Sequence, residues 1–167
     1  MPQTADMIGV PPITSLHDLV SLGKEVREKG FGALKTNIFL FGEQPHMHQP
    51  GFARSEGWPA LNPEREIIDS LREQLVAFRE GAGMEVEILL DLNFNYRTEG
   101  FMTVCRALDD LGLGWFEIDL YDPASLARIR HSLKTPVASC ESLFGLRGFR
   151  PFFENQSMDV AIVDVPW

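Results

Sequence analysis

Acidic side chains recur where four successive apolar segments end. The segments VEILLDLN, WFEIDL, TPVASCE and DVAIVDV contribute, in this order, Asp91, Glu117, Glu141 and Asp164. These acids lie about 25 residues apart, roughly the length of one βα repeat. The carboxyl ends of parallel strands meet at one edge of a sheet, where ligands bind. Carboxylates gathered there repel one another unless a cation joins them, and oxygen ligands of this kind suit Mg²⁺. The spacing therefore predicts a Mg²⁺ site at the sheet edge.

For any one acid taken alone, the alternative is a residue that begins a loop or caps a helix. Asp122, which precedes Pro123, is expected to be such a cap. WFEIDL also carries a second acid, Asp119, to which the pattern assigns no role.

A lysine lies inside the apolar segment that precedes VEILLDLN. This segment reads GALKTNIFLF, and its lysine is Lys35. A buried ammonium is costly unless it is paired or functional. Next to a group of carboxylates, Lys35 is best interpreted as a catalytic or substrate-binding ammonium. The alternative is a side chain that reaches solvent at the edge of the sheet.

Helical and strand patterns alternate along the chain. Ser15 and Asp18 predict a capped start of the first helix, and Gly30 predicts its end. Asn62-Pro63 predicts the start of the second helix. The segments TEGFMTVCRALDDLG and PASLARIRHSL predict the third and fourth helices. SLFGLRGFRPFFENQS is expected to be a helix broken at Pro151.

The predicted strands are continuous apolar runs, which is typical of strands buried on both faces of a parallel sheet. Five such strands, each preceded by a helical segment, predict a parallel α/β fold. A long irregular loop, expected to be solvated and mobile, separates the first strand from the second helix over residues 42–61.

The overall composition narrows the function classes. The 167 residues suffice for one domain with a sizeable core. A net charge of −9 argues against a nucleic-acid partner. No apolar run approaches the ~18 residues of a membrane span, and no secretory signal is visible. Cys105 and Cys140 lack metal-site spacing and are expected to be reduced thiols of a cytoplasmic protein.

Five motifs taken in series resemble a known family. ALKTN, LLDLN, WFEIDLYDP, TPVASCES and DVAIVDV resemble, in order and spacing, the mandelate racemase and muconate-lactonizing branch of the enolase superfamily, over residues 10–167. The resemblance implies a TIM-type parallel (β/α) barrel present only in part, from about the second to the sixth strand. Residues 1–167 are thus expected to form a partial catalytic barrel domain, without the capping domain, the first strand or the last barrel strands.

The resemblance also implies site roles. Asp91, Glu117 and Glu141 match the acids that bind Mg²⁺, which holds a substrate carboxylate and stabilises an enediolate. Lys35 matches the first lysine of a Lys-x-Lys pair whose second position is Asn37 here. Without the second base, one-sided proton abstraction followed by loss of a β-hydroxyl is expected. This pattern is similar to the acid-sugar dehydratases of the galactonate type.

The remaining roles implied by the resemblance concern a base and the substrate. Asp164 matches the aspartate that orients a histidine base, and that histidine is not in this chain. Asn93 stands where some related dehydratases have a histidine, and it is expected, with Asn37, beside the substrate. His46 and His48 lie in the loop after the Lys35 strand. They are expected to contact substrate, unless they belong to a solvated loop or a second metal site.

The sequence therefore predicts a hydro-lyase of the enolase superfamily that converts a sugar acid to a 2-keto-3-deoxy acid with Mg²⁺. We expect a homo-oligomer without membrane or nucleic-acid partners, and we expect this chain alone to be inactive. Exposed sheet edges should make it self-associate or unstable. Two alternatives stay open: a non-enzymatic Mg²⁺-binding module with a doubly wound open sheet, and a truncated fragment without independent function.

Overall fold

The computed structural model describes residues 11–52 and 63–164. These residues form five α-helices and seven strands. The helices are α1 (Leu16–Glu28), α2 (Arg65–Ala82), α3 (Thr98–Leu108), α4 (Pro123–Arg130) and α5 (Gly145–Glu154). The strands are β1 (Ala33–Thr36), β2 (Phe39–Leu40), β3 (His46–Met47), β4 (Glu87–Asp91), β5 (Trp115–Glu117), β6 (Val137–Ser139) and β7 (Val160–Ala161).

The main sheet has five parallel strands in the order β1-β4-β5-β6-β7. Its neighbours are therefore consecutive along the chain, apart from the short antiparallel pair of β2 and β3. A doubly wound sheet reverses its strand order at a switch point, so that alternative is wrong. Because βαβ crossovers are right-handed, consecutive ones in a sequential sheet carry their helices to the same face. The architecture is that of a partial (β/α) barrel, as predicted.

The two faces of the sheet differ in what they bury. Ile88, Leu90 and Phe116 belong to the main hydrophobic cluster, which the helices cover. Leu89 is also buried but does not join this cluster, because it points to the opposite face. Helix side chains that complete the cluster include Leu71, Leu75, Phe78, Phe101, Leu108, Leu126, Ile129, Phe149 and Phe152.

Helices α1 and α2 pack with their backbones in close contact. A Cβ atom placed on Gly81 would lie 1.9 Å from the carbonyl oxygen of Val20, and one placed on Gly23 would lie 2.7 Å from that of Phe78. Both distances are far below a van der Waals contact, so this helix crossing requires glycine at both positions.

The predicted helix ends agree with the structure where it can be compared. Ser15 and Asp18 form a capping box at α1, and Gly30 follows its last residues with φ +77°. Asp122 accepts a hydrogen bond from the backbone N–H of Ser125 at 2.9 Å and caps α4. Asn62, predicted to begin the second helix, lies outside the described residues, and the structure begins α2 after Glu64.

Three local predictions were wrong. The segment around Pro151 is one continuous helix, α5, since Phe149 and Phe152 are buried on either side of the proline and hold it in place. The predicted first strand, residues 32–41, is split after Thr36. The split occurs because the side chain of Gln74 donates to the carbonyl of Asn37 and accepts from the N–H of Phe39, which removes β2 from the sheet.

The third error concerns the irregular loop after the first strand. It contains β3, which pairs with β2, and a 3₁₀ turn at Pro50–Phe52, while residues 53–62 lie outside the described part. Among the helices that the structure describes, none is both long and apolar enough to cross a bilayer.

Candidate active site

Lys35, Asp91 and Glu117 lie on the face of the sheet opposite the helices. The register pairs Asp91 with Glu117 on neighbouring strands, and it pairs Lys35 with Leu89, two residues before Asp91. Paired residues of a parallel sheet, and residues two apart on one strand, share a face. The sequence spacing thus leads to the convergence that was predicted for these three side chains.

The ammonium of Lys35 bridges the two carboxylates. Its Nζ lies 3.0 Å from Oε2 and 3.2 Å from Oε1 of Glu117, and 3.4 Å from Oδ2 of Asp91. Glu117 is fully buried and Asp91 nearly so, whereas the Lys35 side chain remains 44% exposed. Lys35 therefore pairs with the acids while part of its side chain stays in contact with solvent.

The electrostatics of this cluster are those of crowded acids. Burial, with the nearby charge of Asp91, raises the pKa of Glu117 despite its pairing with Lys35. Burial by itself would lower the pKa of Lys35, but the hydrogen bond to Glu117 and the charges of both acids raise it overall. A single ammonium thus compensates the negative charge only in part.

Asn93 hydrogen-bonds to Asp91, and Asn37 hydrogen-bonds to Asn93. The Asn93 backbone N–H and side-chain Nδ2 both donate to Oδ1 of Asp91, at 2.9 and 2.6 Å. Asn37 Nδ2 donates to Oδ1 of Asn93 at 3.3 Å. The predicted substrate contacts of the two asparagines stay a prediction, and their amide groups are engaged within the protein.

Glu141 reaches the same edge through an irregular backbone. Ala138 pairs with Glu117, so strict alternation would send Glu141, three residues later, to the opposite face. Cys140 interrupts the alternation with φ +87°, a conformation that non-glycine residues rarely adopt. Glu141 is half-buried, and its charge contributes to the raised pKa of Glu117.

Asp119 is a site residue to which the sequence pattern assigned no role. The residue is 7% exposed, and its Oδ2 has no hydrogen-bond partner in the part of the chain that the structure describes. Burial, followed by the charges of Asp91, Glu117 and Glu141, raises its pKa to about 7. A signal was available in the sequence, since Asp119 lies two residues after Glu117 and must share its face.

The two loop histidines lie apart from the lysine–carboxylate cluster. His46 is exposed, and its Nδ1 lies 3.0 Å from the carbonyl oxygen of Gln44. His48 is half-buried, and burial, together with nearby His46, lowers its pKa. Both line a cavity of about 550 Å³ that also contains Tyr96. Their contact with substrate stays a prediction.

Asp164 follows the end of β7 and is half-buried. It has the same parity as Val160, which pairs with Ala138 on the face of the carboxylates, so a continued strand would direct it to that face. Within residues 11–52 and 63–164 it makes no hydrogen bond to the other predicted site residues. Its role in orienting a base stays a prediction.

The residues at this edge fit a hard divalent cation by their chemistry. They offer buried carboxylate oxygens, an excess of negative charge over Lys35, and the unpartnered oxygen of Asp119. Among the described ranges, no three His, Cys, Asp or Glu side chains already form a ready-made set of ligands. The assignment of Asp91, Glu117 and Glu141 as metal ligands therefore stays a prediction.

Comparison with known proteins identifies the family. The family model described as "Enolase C-terminal domain-like" matches residues 18–167. The chain belongs to this family. The resemblance of its five motifs to the enolase superfamily is thereby confirmed, together with the barrel-type fold.

Curated relatives of this family member are dehydratases. The chain is 31% identical over 99 residues to an arabinonate dehydratase of Saccharolobus solfataricus, covering 57% of this chain and 26% of the relative. It is 28% identical over 95 residues to an L-talarate/galactarate dehydratase of Salmonella typhimurium, covering 56% of this chain and 24% of the relative.

A solved structure of a family relative is more similar and carries a different name. It is a candidate L-alanine-DL-glutamate epimerase from Burkholderia xenovorans strain LB400, with 49% identity and a TM-score of 0.87. The match covers 92% of this chain and 39% of that one. A second structure of the same description is bound to magnesium and fumarate. The chain thus spans about two fifths of that structure and about a quarter of the curated relatives.

Proposed function

We propose that this chain provides the metal-binding edge and the lysine of a Mg²⁺-dependent sugar-acid dehydratase, a lyase of the enolase superfamily. The observation that carries the proposal is the contact of Lys35 with the buried, adjacent carboxylates of Asp91 and Glu117. Such an arrangement is hard to explain as a structural ion pair, because it concentrates uncompensated acid at the sheet edge where ligands bind.

In this proposal Asp91, Glu117 and Glu141 hold the cation. When bound, Mg²⁺ would neutralise the substrate carboxylate and the negative charge that develops as the α-proton leaves. Lys35 directs its ammonium toward the same charge, and the buried surroundings strengthen that interaction. Asp164 would orient a base that other residues supply.

A dehydratase needs a base on one face of the α-carbon, whereas an epimerase needs one on each face. Asn37 occupies the position of the second lysine, and it has no basic nitrogen. Its amide donates to Asn93. This observation favours dehydration, as do the names of the curated relatives. Epimerisation is the second candidate, because the relative with 49% identity carries that name.

The metal part of the proposal is tested by calorimetric titration of the chain with MgCl₂. We expect the parent chain to bind Mg²⁺ and the Glu117→Gln variant to lose this binding. A matched control is Glu87→Gln, which removes an exposed carboxylate from the opposite end of strand β4. Equal binding by Glu117→Gln and the parent would overturn the assignment of Glu117.

The reaction is tested on a longer protein that contains this chain together with the residues that supply the base, by comparing two substrate classes in the presence of Mg²⁺. Acid sugars are assayed for 2-keto-3-deoxy products, and L-Ala-L-Glu dipeptides are assayed in D₂O for exchange of the α-proton and inversion. Keto-acid formation without inversion supports the dehydratase. Dipeptide inversion without keto-acid formation would replace it with the epimerase.

A further inference from the structure

Asn93 links three strands of the candidate active site. Its backbone N–H and side-chain Nδ2 donate to Oδ1 of Asp91, its side-chain Oδ1 accepts from Asn37, and its carbonyl accepts from the N–H of Asp119. The residue is 8% exposed. Its hydrogen bonds therefore point into the protein, toward β4 and the residues that follow β1 and β5.

These bonds divide the two oxygens of Asp91 between different partners. Oδ1 accepts both hydrogen bonds from Asn93, and Oδ2 faces the ammonium of Lys35 at 3.4 Å. A carboxylate fixed at one oxygen by two donors cannot rotate freely about its last torsion angle. Oδ2 is thus presented in a set direction to any cation at the site.

The backbone conformation of Asn93 favours an asparagine at this position. Its φ of +47° lies in the left-handed region, which asparagine and glycine tolerate better than other residues. The turn brings both donors of Asn93 back onto the carboxylate two residues earlier. A residue without a side-chain amide could keep the backbone bond but would lose the bond at 2.6 Å.

We propose that Asn93 is a positioning residue that fixes the Asp91 carboxylate for cation binding, and that Asn37 holds Asn93 in place. This inference rests on the proposed function for its metal, and it assigns the two asparagines to the support of Asp91. Partners that orient metal ligands typically contribute 10–100-fold to metal affinity. Asn37, which stands where a second base would be, then supports metal binding.

The test is calorimetric titration with MgCl₂ of the 167-residue chain and its variants. Asn93→Gly tolerates the positive φ and keeps the backbone donor while removing the amide. We expect its Kd for Mg²⁺ to rise by roughly 10–100-fold. Asn37→Ala should raise the Kd by a few fold, and this effect should vanish in the Asn93→Gly background, because the two residues act in series.

The control is Asn95→Ala. Asn95 is a buried neighbour whose side chain accepts from the N–H of Gly51 at 3.0 Å and has no bond to Asp91. Removing the Asn95 side chain disturbs the same loop without touching Asp91. An equal fall in Mg²⁺ affinity would therefore show that Asn93→Gly acts by disordering the loop and not by releasing Asp91. Parent-like affinity in a folded Asn93→Gly variant would also overturn the proposal.

A second readout does not require the metal. In ¹⁵N–¹H spectra of the metal-free parent, the side-chain amide of Asn93 should resonate downfield, and Asp91→Ala should return it to the usual range. If the parent binds no Mg²⁺, the proposed function fails in its metal part. The amide signal still tests whether the side chain of Asn93 donates a hydrogen bond to Asp91. An Asn93 amide signal that Asp91→Ala leaves unchanged would show that Asn93 does not hold Asp91, and it would overturn the proposal.

Discussion

Lys35 supplies positive charge to two buried carboxylates, and the pKa shifts define when it does so. Because the pKa of Lys35 is raised above 10.5, its pairing contributes to stability at neutral pH and is lost only as the pH rises through that higher value. Burial raises the pKa of Glu117, so this acid begins to take up a proton earlier than usual as the pH falls. The pairing is therefore most effective between these two limits.

We expect Lys35→Met to lower the free energy of unfolding in metal-free buffer at pH 8. Removing one partner of a buried ion pair leaves an uncompensated charge. Partial exposure of Lys35 reduces the loss to about 1–2 kcal/mol. Urea denaturation at pH 8 and pH 4 measures it, and the loss should shrink at pH 4, because burial favours protonation of Glu117 as the pH falls. Lys24→Met, which breaks an exposed pair with Glu28, should have no measurable effect.

Asp119 should make the metal-free protein less stable as the pH rises. Its pKa is about 7 in the folded chain, whereas the ordinary pKa of an aspartate is 3.8. The folded state therefore binds more protons between pH 4 and 7, and stability falls across that window as the pH rises. Asp119→Asn should remove this slope and raise the free energy of unfolding at pH 8 by up to roughly 4 kcal/mol, since the pKa is raised by about three units and each unit corresponds to about 1.4 kcal/mol.

The measurement for Asp119 is the urea midpoint at several pH values in the presence of a chelator. The difference between variant and parent isolates Asp119 from other groups that titrate, such as His48. Asp69→Asn, which changes an exposed acid on α2, is the control and should leave the slope unchanged. A parent and an Asp119→Asn variant with the same slope would contradict the assignment.

The site residues could be predicted from sequence only as far as regular geometry extends. Asp91 and Glu117 follow from the βα repeat and the alternation of a strand. Asp119 obeys the same alternation, but its burial depends on neighbours far away in sequence. Glu141 depends on the positive φ of Cys140, and no motif reveals this conformation. The contact between Asn37 and Asn93 joins separate strands, so neither sequence position indicates it alone.

Among the elements, the crossing of α1 and α2 imposes the strictest requirement. We expect Gly81→Ala to lower the free energy of unfolding by about 2–4 kcal/mol, because its Cβ would meet the Val20 carbonyl at 1.9 Å and the backbones would have to separate. Thermal denaturation monitored by circular dichroism measures the change.

The matched control is Gly148→Ala in α5. Its Cβ would find ordinary contacts, the nearest at 3.7 Å from the Cβ of Leu143. Alanine is favoured over glycine in helices by about 1 kcal/mol, so this variant should be as stable as the parent or more stable. If both variants changed stability equally, the close helix crossing would not be the cause.

The elements were predictable where local signals agree with packing. The capping box of α1 and the Asp-Pro start of α4 place those helices directly. The split of the first strand after Thr36 was not predictable, because Gln74 acts from a helix almost forty residues later. For α5, the proline signal was outweighed by the burial of Phe149 and Phe152, which only the tertiary structure shows.

At the scale of the molecule, sequential strand order and a single helix-covered face leave the other face with the carboxylates. The repeat spacing of the acids predicts this arrangement, because acids on consecutive strands converge only if those strands are neighbours. The same order gives the sheet two outer strands, β1 and β7, each paired on one side among the described residues.

These outer strands and several exposed apolar side chains lead us to expect self-association. Leu146 on α5 is 78% exposed and Val163 after β7 is 57% exposed, and Phe144 and Phe153 are also exposed. Unpaired strand edges and exposed apolar surface both favour contacts between copies.

Sedimentation velocity over a range of concentrations should show species heavier than 18.8 kDa. Leu146→Lys with Val163→Lys should shift the distribution toward the monomer, whereas Met84→Lys, at an exposed position between α2 and β4, should not. A parent chain that stays monomeric at every concentration, with a cooperative thermal transition, would show that these edges are protected in solution.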